Sequence, residues 1–181
     1  MKKNLFYFFT FLVLLSACYS KNINFQVVQN VPGYNYNVQE QDQQEDEVFA
    51  VSSVFEQALS DFFFESGHIV SNSPVSIKKD SQSDAAELKR ALVDTVLGSM
   101  DVLVRLEILY DEERAKTPGA LVLSSIRQVE WNNYNPKTGL VISSGTALPE
   151  KSAQKENGET EVYKFASSVA AKISSTLSGL K

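Results

Sequence analysis

The chain has 181 residues and a net charge of −5, with 43% hydrophobic and 22% charged residues, the balance of a folded core rather than a disordered polymer. That length suits one ordinary domain plus extras. No basic run of five or more residues occurs, which argues against a nucleic-acid partner, and one Cys with one His cannot supply a structural zinc site of about four N/S ligands.

The chain opens with Met1-Lys2-Lys3-Asn4, a short positive segment. Leu5 to Leu15, LFYFFTFLVLL, follows with Thr10 as its one polar residue. This is the length of a signal-peptide apolar region, whereas a spanning helix needs about 20 apolar residues. Residues 1–17 are therefore expected to be an export signal. The single cysteine, Cys18, has no disulfide partner and needs another role. It closes Leu15-Ser16-Ala17-Cys18, which resembles the bacterial lipobox at all four positions: aliphatic, small, Gly/Ala/Ser, Cys. Small side chains at Ser16 and Ala17 let an extended backbone enter a peptidase groove, and a thiol is the side chain that forms a thioether. The resemblance implies a diacylglyceryl group on Cys18, cleavage before it and acylation of the new amine. Each buried methylene of such chains adds about 0.8 kcal/mol, and two or more chains anchor stably. An ordinary cleaved signal with an incidental cysteine, or an uncleaved short anchor, is the alternative. Tyr19 stands where Asp commonly marks retention in the inner membrane of two-membrane bacteria, so the resemblance favours the outer membrane. Loss of residues 1–17 removes Lys2 and Lys3 and leaves 15 basic against 22 acidic residues, a net of −7. Such a body is expected to stand off an anionic surface, held by its lipid.

Residues 18–47 are rich in Asn and Gln and end in VQEQDQQEDE, which holds five acidic residues and four Gln. That composition predicts a polar tether, with a single domain over 48–181. Within it, Ile23, Phe25 and Val27 alternate with Asn24 and Gln26, so a first strand over 23–31 is the alternative. From Val48 the pattern turns helical, with Val48, Val51, Phe55, Ala58, Leu59 and Phe62 at spacings of three and four, stopped by Gly67. HIVSNSPVSI, 68–77, reads as a short strand broken at Pro74. A second helix is predicted from about Asp84 to Leu97, with Asp84 and Glu87 at capping-box spacing, Leu88, Leu92, Thr95 and Val96 on one side, and Gly98 at its end. Val102, Val104, Leu106, Ile108 and Tyr110 share one face of a strand, with Arg105 and Glu107 on the other. A charged turn from Asp111 leads to another strand, ALVLSSIRQVEW. A turn with Pro136 and Gly139 joins that strand to LVISSGTAL as a hairpin. The last helix, about Thr160 to Leu177, aligns Val162, Phe165, Ala166, Val169, Ile173 and Leu177.

The order β-α-β-α-β-β-β-α predicts an α/β domain of the α+β kind, a mostly antiparallel sheet with helices on one face. Four segments carry a resemblance: VFEQALSDFFFESGHIVSN, MDVLVRLEI, NPKTGLVISSGTA and YKFASSVAAKISSTL. They resemble a helix and strand, a third strand, a hairpin and a closing helix of a family of bacterial envelope lipoproteins. That family includes the curli-secretion channel lipoprotein and the outer-membrane activator of penicillin-binding proteins. The resemblance covers roughly residues 48–177 and implies a lipid-anchored, non-catalytic protein of the periplasm or outer membrane. Its first strand is usually a continuous apolar run, from which INFQVVQNV departs. No segment reads as a pore-forming hairpin, so the resemblance does not extend to a secretion channel.

Catalytic chemistry has little to stand on. His68 could serve a Ser-His-Asp arrangement, but no G-x-S-x-G elbow surrounds any Ser. Asp111, Glu112 and Glu113 could act on a cation, but a charged turn is the simpler reading. No G-x-G-x-x-G or Walker loop is present, and no cofactor is expected. Trp131, Tyr134 and Asn135 are the candidate partner-binding residues, since aromatic side chains at a rim anchor protein interfaces. The bland alternative has Trp131 packing over the sheet end as core. Phe62, Phe63 and Phe64 cannot all point into one core. The function expected is that of a lipid-anchored protein touching the membrane through Cys18 and binding an envelope protein or assembly. The alternatives are a surface-exposed lipoprotein that meets a host and an envelope hydrolase using His68.

Overall fold

The period-2 alternation of Ile23, Phe25 and Val27 is realised as β1 (Asn22–Asn30) in the computed structural model, which describes residues 20–32, 41–112, 123–150 and 158–178. After β1 come α1 (Gln41–Glu65), β2 (Ile69–Asn72), β3 (Ser76–Ile77), α2 (Ser81–Leu97) and β4 (Val102–Tyr110). A 3-10 turn (Leu123–Ser125), β5 (Ile126–Tyr134), β6 (Val141–Ala147) and α3 (Glu159–Ser178) complete the order. The expected export signal, the segment with Cys18 that resembles a lipobox, and Glu113 lie outside the described residues.

The architecture is α+β: among the described residues, the helices α1, α2 and α3 pack on a six-stranded sheet of order β2-β1-β4-β5-β6, with β3 also paired to β1. β1 runs parallel to β2, β3 and β4, while β4, β5 and β6 form an antiparallel meander. The sheet is thus mixed, which corrects the mostly antiparallel expectation. The reason is connectivity: α1 and α2 are crossovers that return the chain in the same direction, and a parallel pair needs such a connection. β1 is central, so the first-strand reading of residues 23–31 holds, and polar Gln41 to Glu47 belong to α1 rather than to a tether.

One face of the sheet presents Ile23, Phe25, Val27, Val104, Leu106, Ile108 and Val129, all fully buried. α1 and α3 cover that face with Phe55, Ala58, Leu59 and Phe63 and with Phe165, Ala166, Val169 and Ile173. Phe55 and Phe165 meet edge to face at 6.1 Å, a favoured ring geometry. Burial of each such Val, Leu, Ile or Phe contributes about 1.5–3 kcal/mol. Of the three phenylalanines in a row, Phe63 is buried, Phe62 packs at the core margin and Phe64 is exposed.

α2 lies on the opposite face, correcting the expectation of helices on one side only. It packs Ala91, Leu88 and Leu92 against Leu103 and Tyr134. Its cap also differs from the expected Asp84 and Glu87 pair. Asp80 is the N-cap, accepting from the backbone N–H groups of Gln82 and Ser83 at 2.8 Å each. Ser83 returns the contact to the Asp80 N–H, which completes the box. Val96 is exposed rather than packed.

α1 stops where Gly67 takes φ +84, with the His68 and Gly67 N–H groups bonded to Phe63 and Phe64 carbonyls, a Schellman closure. At the end of α2 the same closure uses Ser99, not Gly98. Ser99 takes φ 56, and the Met100 and Ser99 N–H groups reach the Thr95 and Val96 carbonyls. Gly139 takes φ +69 in the β5–β6 turn, where the Asn135 side chain accepts from the Lys137 and Thr138 N–H groups.

Candidate functional site

The sheet's mixed direction gathers many chain ends at one pole. β1, β2 and β4 start there, since Asn22 pairs with Ile69 and Ile23 with Val102. β5 ends and β6 begins there, Leu103 pairing with Tyr134 and Tyr134 with Val141. α1 and α2 each end one turn before a strand that starts there, and Leu177 near the end of α3 lies beside Lys21. The described chain enters at this pole, at Ser20.

That entry is pinned on several sides. The Ser20 hydroxyl donates to the Gly67 carbonyl. The Lys21 N–H and carbonyl both face His68 Nδ1, at 3.3 and 3.1 Å, so Nδ1 serves one or the other according to its tautomer. Lys21 Nζ donates to the Leu177 carbonyl at 2.8 Å. Asn22 N–H donates to Asp101 Oδ2, and the Asp101 N–H returns to the Asn22 carbonyl, both at 2.8 Å. The sole histidine therefore holds the incoming chain, with its ring edge to face against Phe63 at 6.2 Å. Together these hydrogen bonds fix the exit point of whatever precedes Ser20.

The candidate partner-binding residues fall elsewhere than a rim. Trp131 is 4% exposed and belongs to the main core, over Gly145. Tyr134 is 8% exposed and packs under α2, and burial pushes its hydroxyl above the usual tyrosine range. Asn135 is spent on the hairpin turn through its side-chain oxygen. Both rings are thus core, in two different layers: Trp131 pairs with Leu106 in the main core, and Tyr134 pairs with Leu103 under α2. At the expected charged turn, the Asp111 N–H donates to the Ser125 carbonyl at 2.7 Å.

A second feature is the polar seat of α2, which sequence reading did not foresee. Asn24 donates to Ser73 at 2.9 Å and to Thr95 at 2.7 Å, and Ser71 donates to Asn24 at 3.0 Å. Arg105, 8% exposed, pairs with Asp84 of α2 and donates to Gln26 at 3.1 Å. Glu107 takes Lys78 at 2.8 Å and Asn30 at 2.6 Å. The signal was present in the sequence as Asn24, Gln26 and Arg105 on strands; their shared face was invisible without strand order. On the other side of β1, Gln29 takes the Tyr110 hydroxyl at 2.6 Å and donates to Ser52 of α1. Burial holds that phenol well above its usual range.

Among the described residues, no group of three His, Cys, Asp or Glu side chains is arranged to hold a metal ion. No described helix is long and apolar enough to cross a membrane.

No curated protein matches the chain. Solved structures to which the chain is similar include a PelC variant dodecamer from Paraburkholderia phytofirmans, at 14% identity and TM-score 0.41 over 87% of this chain and 89% of that one. A second PelC dodecamer from the same organism matches at 12% identity and TM-score 0.38, over 83% and 84%. A neuraminyllactose-binding hemagglutinin homolog from Helicobacter pylori matches at 16% identity and TM-score 0.31, over 88% and 84%. A family model described as "Uncharacterised protein" matches residues 34–178, well over half of the sequence, and the chain belongs to that family.

Proposed function

We propose that this protein is a lipid-anchored, non-catalytic lipoprotein of the bacterial envelope, held in the outer membrane through Cys18, where it binds an envelope protein or assembly. The observation that carries this reading is Leu15-Ser16-Ala17-Cys18 set directly behind a positive opening and an eleven-residue apolar run. Tyr19 in place of Asp favours the outer membrane. The helix, Gly67 turn and strand from Val54 to Asn72 are in keeping with the resemblance to the envelope family of the penicillin-binding-protein activator. The commitment of His68 to the Lys21 backbone supports a structural role for the residue a hydrolase would need.

Membrane fractionation tests the reading. The wild-type chain is expected in the outer-membrane fraction, and Cys18→Ala in the soluble or inner-membrane fraction. Equal distribution of the two would overturn the anchor. Chemical crosslinking in intact cells at native abundance should capture a defined envelope protein; a crosslinking pattern no different from that of an unrelated lipoprotein would remove the partner-binding half of the proposal.

A further inference from the structure

The large apolar side chains left in solvent are not scattered over the molecule. Among the described residues, Phe64, Ile69, Val96, Leu97, Leu140 and Val141 are exposed, and all lie at the pole where Ser20 enters. Leu97 and Phe64 are the most open, at 77% and 74%. Val93 stands one helical turn above Leu97. Only Phe49, near the start of α1, and Leu148, just past β6, lie toward the opposite pole. Topology makes the clustering meaningful. Phe64 and Leu97 end two helices, Ile69 and Val141 begin two strands, and Leu140 closes the hairpin. Three stretches of chain, 64–69, 96–97 and 140–141, converge on one pole and each places apolar side chains there.

A residue of extended chain spans at most about 3.3–3.6 Å, so Cys18 cannot lie more than about 7 Å from Ser20. The pinned entry of Ser20, Lys21 and Asn22 leaves no long tether to swing the domain away. We infer that this pole docks against a phospholipid bilayer, with Phe64, Leu97 and Leu140 entering its interfacial layer. The inference rests on the reading of Cys18 as a lipid anchor, which fixes which pole meets the membrane. The anchor supplies affinity; the apolar pole sets orientation, because a tethered domain samples its surface at high effective concentration.

The charge pattern indicates which lipid. None of the three helices has a basic residue in its last turn. Their ends present partial negative charge at this pole, and exposed Glu65 and Asp101 are balanced there by Lys21, whose Nζ meets the Leu177 carbonyl, and by exposed Lys137 in the hairpin turn, so no net basic patch forms. A polybasic patch for anionic head groups is the opposite arrangement. The contact is therefore apolar and suits zwitterionic lipid. It also refines the picture of an acidic body standing off the membrane: the pole touches while the acidic remainder faces away.

The test uses the full lipidated chain in phosphatidylcholine vesicles whose acyl chains carry bromine, which quenches nearby tryptophan. Leu97→Trp, Leu140→Trp and Leu148→Trp are compared with the parent, whose Trp131 is buried in the core. All three positions are at least 65% exposed, so the substitutions leave packing intact. Emission should fall for Leu97→Trp and Leu140→Trp relative to unbrominated vesicles, and should hold for Leu148→Trp and the parent. The mass of the N-terminal peptide is read in the same samples. Retained emission at Leu97→Trp and Leu140→Trp, with acyl chains present on Cys18, would overturn the docking pole and leave the anchor standing. A peptide without acyl chains would overturn the anchor and, with it, the docked orientation that the anchor fixes.

Discussion

An ideal Cβ at Gly145 would lie 2.2 Å from Trp131 Cζ2 and 2.7 Å from Cε2. The strand must lack a side chain here so that the indole can lie across it. Gly145→Ala is expected to cost about 1–3 kcal/mol through overpacking, read as a lower midpoint in denaturant. Ser99 is the reverse case. It holds a left-handed φ of 56 to close α2, a conformation Gly adopts without steric cost, so Ser99→Gly is expected to stabilise by about 0.5–1 kcal/mol. Thermal melts of the two variants should move in opposite directions. At Asp80 the backbone N–H of Ser83 is the largest influence holding the carboxyl below its ordinary value. A depressed carboxylate pKa stabilises the fold above the unfolded value, and that stability is lost as pH falls through the folded value. Wild type should therefore melt higher than Asp80→Asn at neutral pH, and the gap should close under acid conditions. A gap that persists in acid would contradict the charged cap.

The three helices are seated unequally. α3 buries seven residues, Val162 and Leu177 among them, whereas α2 buries only Ala91 and Thr95. Beneath α2 lie Asn24, Gln26 and Arg105, so much of its attachment is by hydrogen bonds and the Arg105–Asp84 pair. Elements with few buried apolar contacts open at lower free energy. Native-state hydrogen exchange should therefore release the amides of α2 before those of α1 and α3; simultaneous release of all three would contradict this. The same seat explains what the sequence made legible. Alternation over Val102–Tyr110 and the stripe ending in Ile173 and Leu177 each mark a single buried face, and both elements stand where periodicity put them. β1 was harder, because Asn24, Gln26 and Gln29 look like solvent-facing residues but are buried, Asn24 and Gln29 beside hydroxyl partners and Gln26 beside Arg105. The start of α2 was misplaced because Asp80 caps through Ser83, a pairing outside the usual Ser/Thr-to-Glu pattern.

At the scale of the molecule, periodicity identified elements but not their neighbours. The parallel placement of β1 between β2 and β4, and the second layer made by α2, depend on contacts far apart in sequence. Trp131 and Tyr134 could not be placed from sequence for the same reason: a residue before a turn reads equally as rim or core until the layer above it is known. The polar convergence of chain ends was equally hidden, since Phe64, Leu97 and Leu140 share nothing in sequence. The role proposed for Cys18, by contrast, rests on four consecutive residues, because export and lipid attachment are read from a linear segment rather than a fold. The most direct measurement is therefore the mass of the mature N-terminal peptide from membrane-extracted protein. The account predicts a peptide beginning at Cys18 that carries diacylglyceryl and an N-linked acyl chain. A peptide that begins elsewhere, or one with a free Cys18 thiol, would contradict it.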